Sequence, residues 1–195
     1  MAIAARERYT PESLLAVAVE VFNERGYDGT SMEHLAQAAG ITKSSIYHHV
    51  RGKEDILRLA LERATGVLFG ALDEPGATTG RAVDRLEHVL RRAAEVLIEE
   101  RPFVTLLLRA RGNTDTERWA LERRRDLDSR VADLVAEAAA DGDLRDDVDP
   151  RLATRLLFGM VNSISEWYRE GQGTAQPDAI GAAVATLAFD GLRSR

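Results

Sequence analysis

Between Thr42 and His49 the chain carries Thr42, Lys43, Ser44, Ser45, Tyr47, His48 and His49, a nearly unbroken run of hydrogen-bonding side chains of short to medium reach. The chemistry such a run can do is recognition. Lys43 can donate to guanine acceptors, Thr42 and Ser44 can read a base edge or hold a phosphate, and Tyr47 and the two histidines can reach backbone oxygens. Thr30, upstream, adds a further hydroxyl to the candidate set. Covalent chemistry has no comparable frame. No His-x-x-x-His, cysteine cluster, Gly-x-Ser-x-Gly or phosphate loop occurs, and three of the four histidines lie inside the motif. His88 stands alone, and Asp146-Asp147 sits in a turn where capping explains it. An enzyme is not expected, nor a catalytic residue, a metal or a cofactor.

The elements that must position this cluster are written in Gly26–Lys53, GYDGTSMEHLAQAAGITKSSIYHHVRGK. Thr30 and Glu33 have the spacing of a capping box, Ser31 to Ala39 can wind about two turns, and Gly40 can enter the left-handed conformation that reverses the chain. Thr42 then caps a second helix that stops at Gly52. Leu35, Ala36, Ala39, Ile41 and Ile46 hold the pair together, leaving the donor cluster outside. That is a helix-turn-helix, whose second helix fits a major groove about 12 Å wide. A merely solvated helical hairpin would not place a tyrosine and two histidines on its open face.

Tyr27-Asp28-Gly29-Thr30-Ser31-Met32, Ala36, Ala39-Gly40, Ile41-Thr42-Lys43 and Ile46-Tyr47-His48-His49-Val50 with Lys53-Glu54 resemble the TetR family of repressors, over residues 11 to 60. The resemblance implies an all-α homodimer: an N-terminal three-helix head, residues 1–53, joined by a connecting helix to a helical ligand-binding and dimerisation body, residues 54–195. It implies that Lys43 to His49 form the recognition helix, that Lys53 holds a phosphate, and that the dimer reads a palindromic double-stranded operator. A helical adaptor that binds no DNA is the rival class.

Outside the motif, helical periodicity runs throughout and no strand pattern appears. Thr10-Pro11 opens a helix ending at Gly26, another runs from Lys53 to Leu72, and Ala77 to Gly80 reads as a loop. Further helices are expected from Val83 to before Arg101, from Pro102, from Thr114 to Ala140, from Arg151 to Arg169 and from Asp178 to Leu192. Helix 151–169 is apolar over most of its circumference, so it and the last helix are expected to form the dimer interface, with Gly159, Ser163, Gly181 and Ala185 permitting close approach. The net charge is −6, and residues 1 to 60 hold seven Lys+Arg against eight Asp+Glu, which excludes nonspecific coating of nucleic acid. The only lysines are Lys43 and Lys53, with Arg6 and Arg8 on the leading tail. No apolar run is long enough for a membrane span or a signal peptide and there are no cysteines, so no membrane partner and a cytoplasmic address are expected.

Phe69, Phe103, Leu107, Trp119, Phe158, Asn162, Trp167 and Tyr168 mix large apolar walls with a few polar groups, the usual lining of a ligand pocket. Leu157 to Asn162 with Trp167-Tyr168 is similar to a helix of family members that sense CoA esters, so the expected effector is an acyl-CoA thioester. Arg109, Arg111 and Arg123 to Arg125 offer cations for its phosphates. A multidrug or aromatic-compound sensor is the alternative.

Overall fold

The computed structural model describes residues 10–169, 171 and 176–192; the expected tail cations Arg6 and Arg8 lie outside them. Among the described residues the chain forms ten helices and no strand. In order these are α1 (Pro11–Arg25), α2 (Met32–Ala39), α3 (Lys43–Tyr47), α4 (Lys53–Asp73), α5 (Pro75–Thr78), α6 (Ala82–Glu99), α7 (Arg101–Arg109), α8 (Asp115–Ala140), α9 (Pro150–Trp167) and α10 (Pro177–Leu192). None is long and apolar enough to cross a membrane.

Local chemistry sets most boundaries. The Thr10 hydroxyl accepts from the Ser13 amide at 3.1 Å while the Ser13 hydroxyl accepts from the Thr10 amide at 3.0 Å, and Pro11 occupies the first turn. Thr114 caps α8 through the Glu117 amide and Asp149 caps α9 through the Leu152 amide. Gly40 has φ 63°, the left-handed geometry that lets α2 end and α3 begin three residues on, at Lys43.

Three expectations are corrected. The cap of α2 is Ser31 rather than Thr30, and its reciprocal partner is His34 rather than Glu33. Helix α3 stops at Tyr47, so His48 and His49 lie in the following turn. Residues Pro75–Thr78, read as the end of a helix and a loop, wind a short α5.

Two apolar clusters organise the molecule. One joins α1, α2, Ile46 of α3 and the first half of α4, up to Ala64, to Phe103, Leu106 and Leu107 of α7 and Ala120 of α8. The other joins the end of α4 to α6, α8, α9 and α10. A division at residue 53 would therefore cut through the first cluster. Leu68 packs against both.

Polar ties reinforce the junction. The Arg63 guanidinium makes two bonds of 2.8 Å to the Glu100 carboxylate and lies over the Phe103 ring at 4.3 Å. Asn23 donates to the Pro102 carbonyl at 2.8 Å, Arg109 to the Asn23 carbonyl at 2.6 Å, and Thr116 to Glu54 at 3.0 Å.

Within the head, Lys53 stitches α4 to the α1–α2 turn. Its ammonium donates to the carbonyls of Tyr27 at 2.8 Å and Thr30 at 2.9 Å, and sits 4.2 Å from the Tyr27 ring centroid. Lys53→Met is expected to lower stability to urea by about 2 kcal/mol, because two half-buried carbonyls lose a charged donor; unchanged stability would show the tie to be dispensable.

Candidate DNA interface and effector cavity

The donor-rich cluster stays on one surface because Ile46, fully buried, pins α3 against the head core. Thr42, Lys43, Ser44, Tyr47, His48 and His49 are exposed and Ser45 is half-buried. The Thr42 hydroxyl is already engaged as the helix cap: it accepts from the Ser45 amide at 3.2 Å and lies 2.9 Å and 2.8 Å from the hydroxyls of Ser44 and Ser45. These bonds set the first turn of α3 before any ligand arrives.

Two members of the expected set have other work. Thr30 is buried, and its hydroxyl donates to the Gly26 carbonyl at 2.7 Å, so it closes the α1–α2 turn and is not free for phosphate. Lys53 commits two of its three donors inside the head, as described above. The same packing acts on Tyr27: burial pushes its hydroxyl up to about 12, helped by the carboxylates of Glu54, Asp28 and Glu117. Lys43 forms an ion pair with Glu33 in the first turn of α2. The hydrogen bond between them holds the Glu33 carboxyl below the usual carboxylate range and the Lys43 ammonium above its own.

In the body, a cavity of about 330 Å³ opens between five helices. Leu68 of α4, Ala93 and Leu97 of α6, and Val104, Leu107 and Leu108 of α7 form its apolar walls. Arg124, Leu127 and Asp128 of α8 face Arg155, Phe158, Gly159, Val161 and Asn162 of α9. Burial away from water raises the Asp128 carboxyl above its ordinary range, and the guanidiniums of Arg124 and Arg155 pull the other way.

Of the eight residues expected to bind ligand, Leu107, Phe158 and Asn162 line this cavity. Phe69 does not: its ring is covered by Arg123 at 3.9 Å and Arg130 at 5.3 Å. Phe103 belongs to the head-side core, and Trp119 packs against that core beneath Arg58, 4.8 Å from its ring centroid. At the end of α9, Tyr168 is buried in the body core while Trp167 is half exposed, the two rings meeting edge to face.

Of the arginines, only Arg124 from the expected run reaches the cavity; Arg109 and Arg111 line a separate crevice between the α1–α2 turn and the end of α7. Sequence reasoning missed Arg155 and Asp128, although Arg155, Phe158, Gly159 and Asn162 share one face of α9 at spacings of three and four.

Beside that face, α9 presents a second, uncovered one. Leu152, Leu156, Met160 and Trp167 are exposed at helical spacing, and Leu187 of α10 is exposed as well. Gly159 has open space where a side chain would be. Gly181 behaves otherwise: a Cβ there would meet Arg91 and Glu95 of α6 at 3.0–3.2 Å, so it serves packing within the chain, as does the buried Ala185.

Family models agree with this arrangement. Residues 14–60 match the bacterial regulatory proteins of the tetR family, and residues 79–192 match the tetracyclin repressor-like C-terminal domain. The chain belongs to the TetR family. It is thus a DNA-binding transcriptional repressor rather than an enzyme, and regulators of this kind bind operator DNA as dimers. Over 185 residues it is 25% identical to the HTH-type transcriptional repressor KstR2 of Mycolicibacterium smegmatis, spanning 93% of this chain and 89% of that one. Its fold is similar to SCO3833, a TetR-family member from Streptomyces coelicolor A3, with TM-score 0.88 and 64% identity over 95% and 94% of the two chains. It is also similar in fold to AibR, solved with isovaleryl coenzyme A and operator DNA, with TM-score 0.79 and 22% identity over 92% and 97%.

Proposed function

We propose that this repressor is released from a palindromic operator by an acyl-CoA thioester, the acyl chain entering the cavity and the phosphates of CoA lying against Arg124 and Arg155. The observation that carries the reading is the cavity's composition. Its walls are apolar where an acyl chain would lie, and two guanidiniums border it on facing helices. A volume of about 330 Å³ suits an acyl group, at the small end of ligand pockets, and leaves the nucleotide outside. AibR, solved with a CoA ester and operator DNA, supports the assignment as a protein of similar fold.

On DNA, α3 enters the major groove with Lys43, Ser44 and Tyr47 reaching base edges and phosphates, Thr42 and Ser45 holding its first turn, and His48 and His49 against the backbone. The uncovered face of α9, with Leu187 of α10, is the dimer surface, which sets the two α3 helices about 34 Å apart. The cavity's α9 face borders that surface, so the partner subunit closes one side of its mouth. Signal transfer runs through Leu107, which belongs to the head-side core and to the cavity wall at once. A ligand acts only by binding the DNA-incompetent spacing of the heads more tightly than the competent one.

Calorimetry with a panel of acyl-CoAs against the matching free acids tests the effector class. Heat with CoA esters, lost in Arg124→Ala/Arg155→Ala, is expected; no heat with any ester, or tighter binding of the free acids, would overturn it in favour of a multidrug or aromatic-compound sensor. For the dimer surface, Leu156→Asp should turn the light-scattering mass at micromolar concentration from two chains to one, and a dimer that survives it places the interface elsewhere.

A further inference from the structure

The chain has two lysines, and neither ammonium is unengaged. Lys53 is held by carbonyls inside the head. Lys43, at the start of α3, is held by the carboxylate of Glu33 from the first turn of α2, ten residues earlier. Both partners are exposed, with side chains 45% and 65% accessible, so the pair lies on the same open surface as the donor cluster.

An ion pair this exposed adds little to stability. Its consequence lies in what it does to Lys43. A free lysine carries a strongly hydrated point charge on a flexible four-carbon stem, attracted to any phosphate, and it must be immobilised before it can read a base. Paired with Glu33, the ammonium loses most of that indiscriminate attraction, since the pair is neutral overall. It also gains an anchor that limits the stem. Of its three donors one is committed to Glu33 and two remain, enough for the adjacent N7 and O6 acceptors of a guanine.

We propose that Glu33 is a positioning residue for DNA recognition: it aims Lys43 at base acceptors while cancelling its attraction for phosphates of any sequence. The inference rests on α3 being the helix that enters the groove. Discrimination between partners is a difference of affinities, and Glu33 widens it from both ends by orienting Lys43 on the operator and presenting only a charge-neutral pair to other DNA. The dipole of α2 favours a carboxylate at Glu33, which keeps the anchor charged. The electrostatics agree, with the Glu33 carboxyl lowered and the Lys43 ammonium raised by their contact.

The test uses the full chain, an operator duplex selected with the unmodified protein, and a random duplex of equal length, read by fluorescence anisotropy across a salt series. Glu33→Gln keeps the shape and removes the charge at an exposed position, so the fold is retained, as a melting curve confirms. The expected signature is crossed. Operator binding weakens about five-fold, random-duplex binding tightens about three-fold, and the slope of log K against log salt on the random duplex steepens by about 0.9, one added phosphate contact. A change of the same sign on both duplexes, or an unchanged slope, overturns the role of Glu33. Lys43→Gln is the control for the underlying reading: it should abolish the preference for operator, and if operator binding is untouched the assignment of α3 fails, and the inference with it.

Discussion

Everything downstream of the body depends on the packing of α7 against α4. Helix α4 runs unbroken from the head to Asp73, and α7 lies alongside it, contributing Phe103, Leu106 and Leu107 to the head-side core. Leu107 is 1% exposed and also lines the body cavity, so the wall of one compartment is part of the core of the other. Interiors are close-packed, so a ligand that displaces such a wall cannot be absorbed locally. The bonds around the junction, Arg63 to Glu100, Asn23 to the Pro102 carbonyl, Arg109 to the Asn23 carbonyl and Thr116 to Glu54, tie head to body at several points. In this account the cavity is coupled to the head because its wall shares Leu107 with the core that carries α3, with no flexible linker between them.

The same economy marks the head. A near-neutral surface must bind a polyanion, and its cations are few. Lys53 spends its charge on holding the α1–α2 turn, Thr30 spends its hydroxyl on the Gly26 carbonyl, and Thr42 spends its own on the start of α3. On the proposed reading, what is left for DNA is α3, a short helix of preset geometry carrying a few exposed donors. Such a surface discriminates through where its groups stand, and tight binding needs two of them, because each subunit neutralises few phosphates.

How much of this was legible in the sequence divides by range. Caps and breaks are local, so Thr10-Pro11, Gly40 with Thr42, and Thr114 announced their helices. Two adjacent hydroxyls made the cap of α2 ambiguous by one residue, and the structure chose Ser31 because Thr30 is needed in the turn before it. The destination of packed residues was not legible: the sequence alone puts Phe103 and Trp119 at a ligand pocket and Gly181 at the dimer interface. Phe103 and Trp119 go to the head–body junction and Gly181 to α6. Charged cavity residues were the least legible, since Arg155 and Asp128 read as solvated positions until α8 and α9 are brought face to face.

The central claim is that filling the body cavity changes the separation of the two α3 helices. The chain contains no cysteine, so Gln37→Cys, on the exposed side of α2, gives one spin-label site per subunit. Electron–electron double resonance on the labelled dimer then measures the spacing of the heads directly. The account predicts one narrow distance distribution on operator DNA and a distinct, displaced one when the cavity is saturated with an acyl-CoA. Identical distributions in the two saturated states would contradict it, whatever either ligand does to affinity.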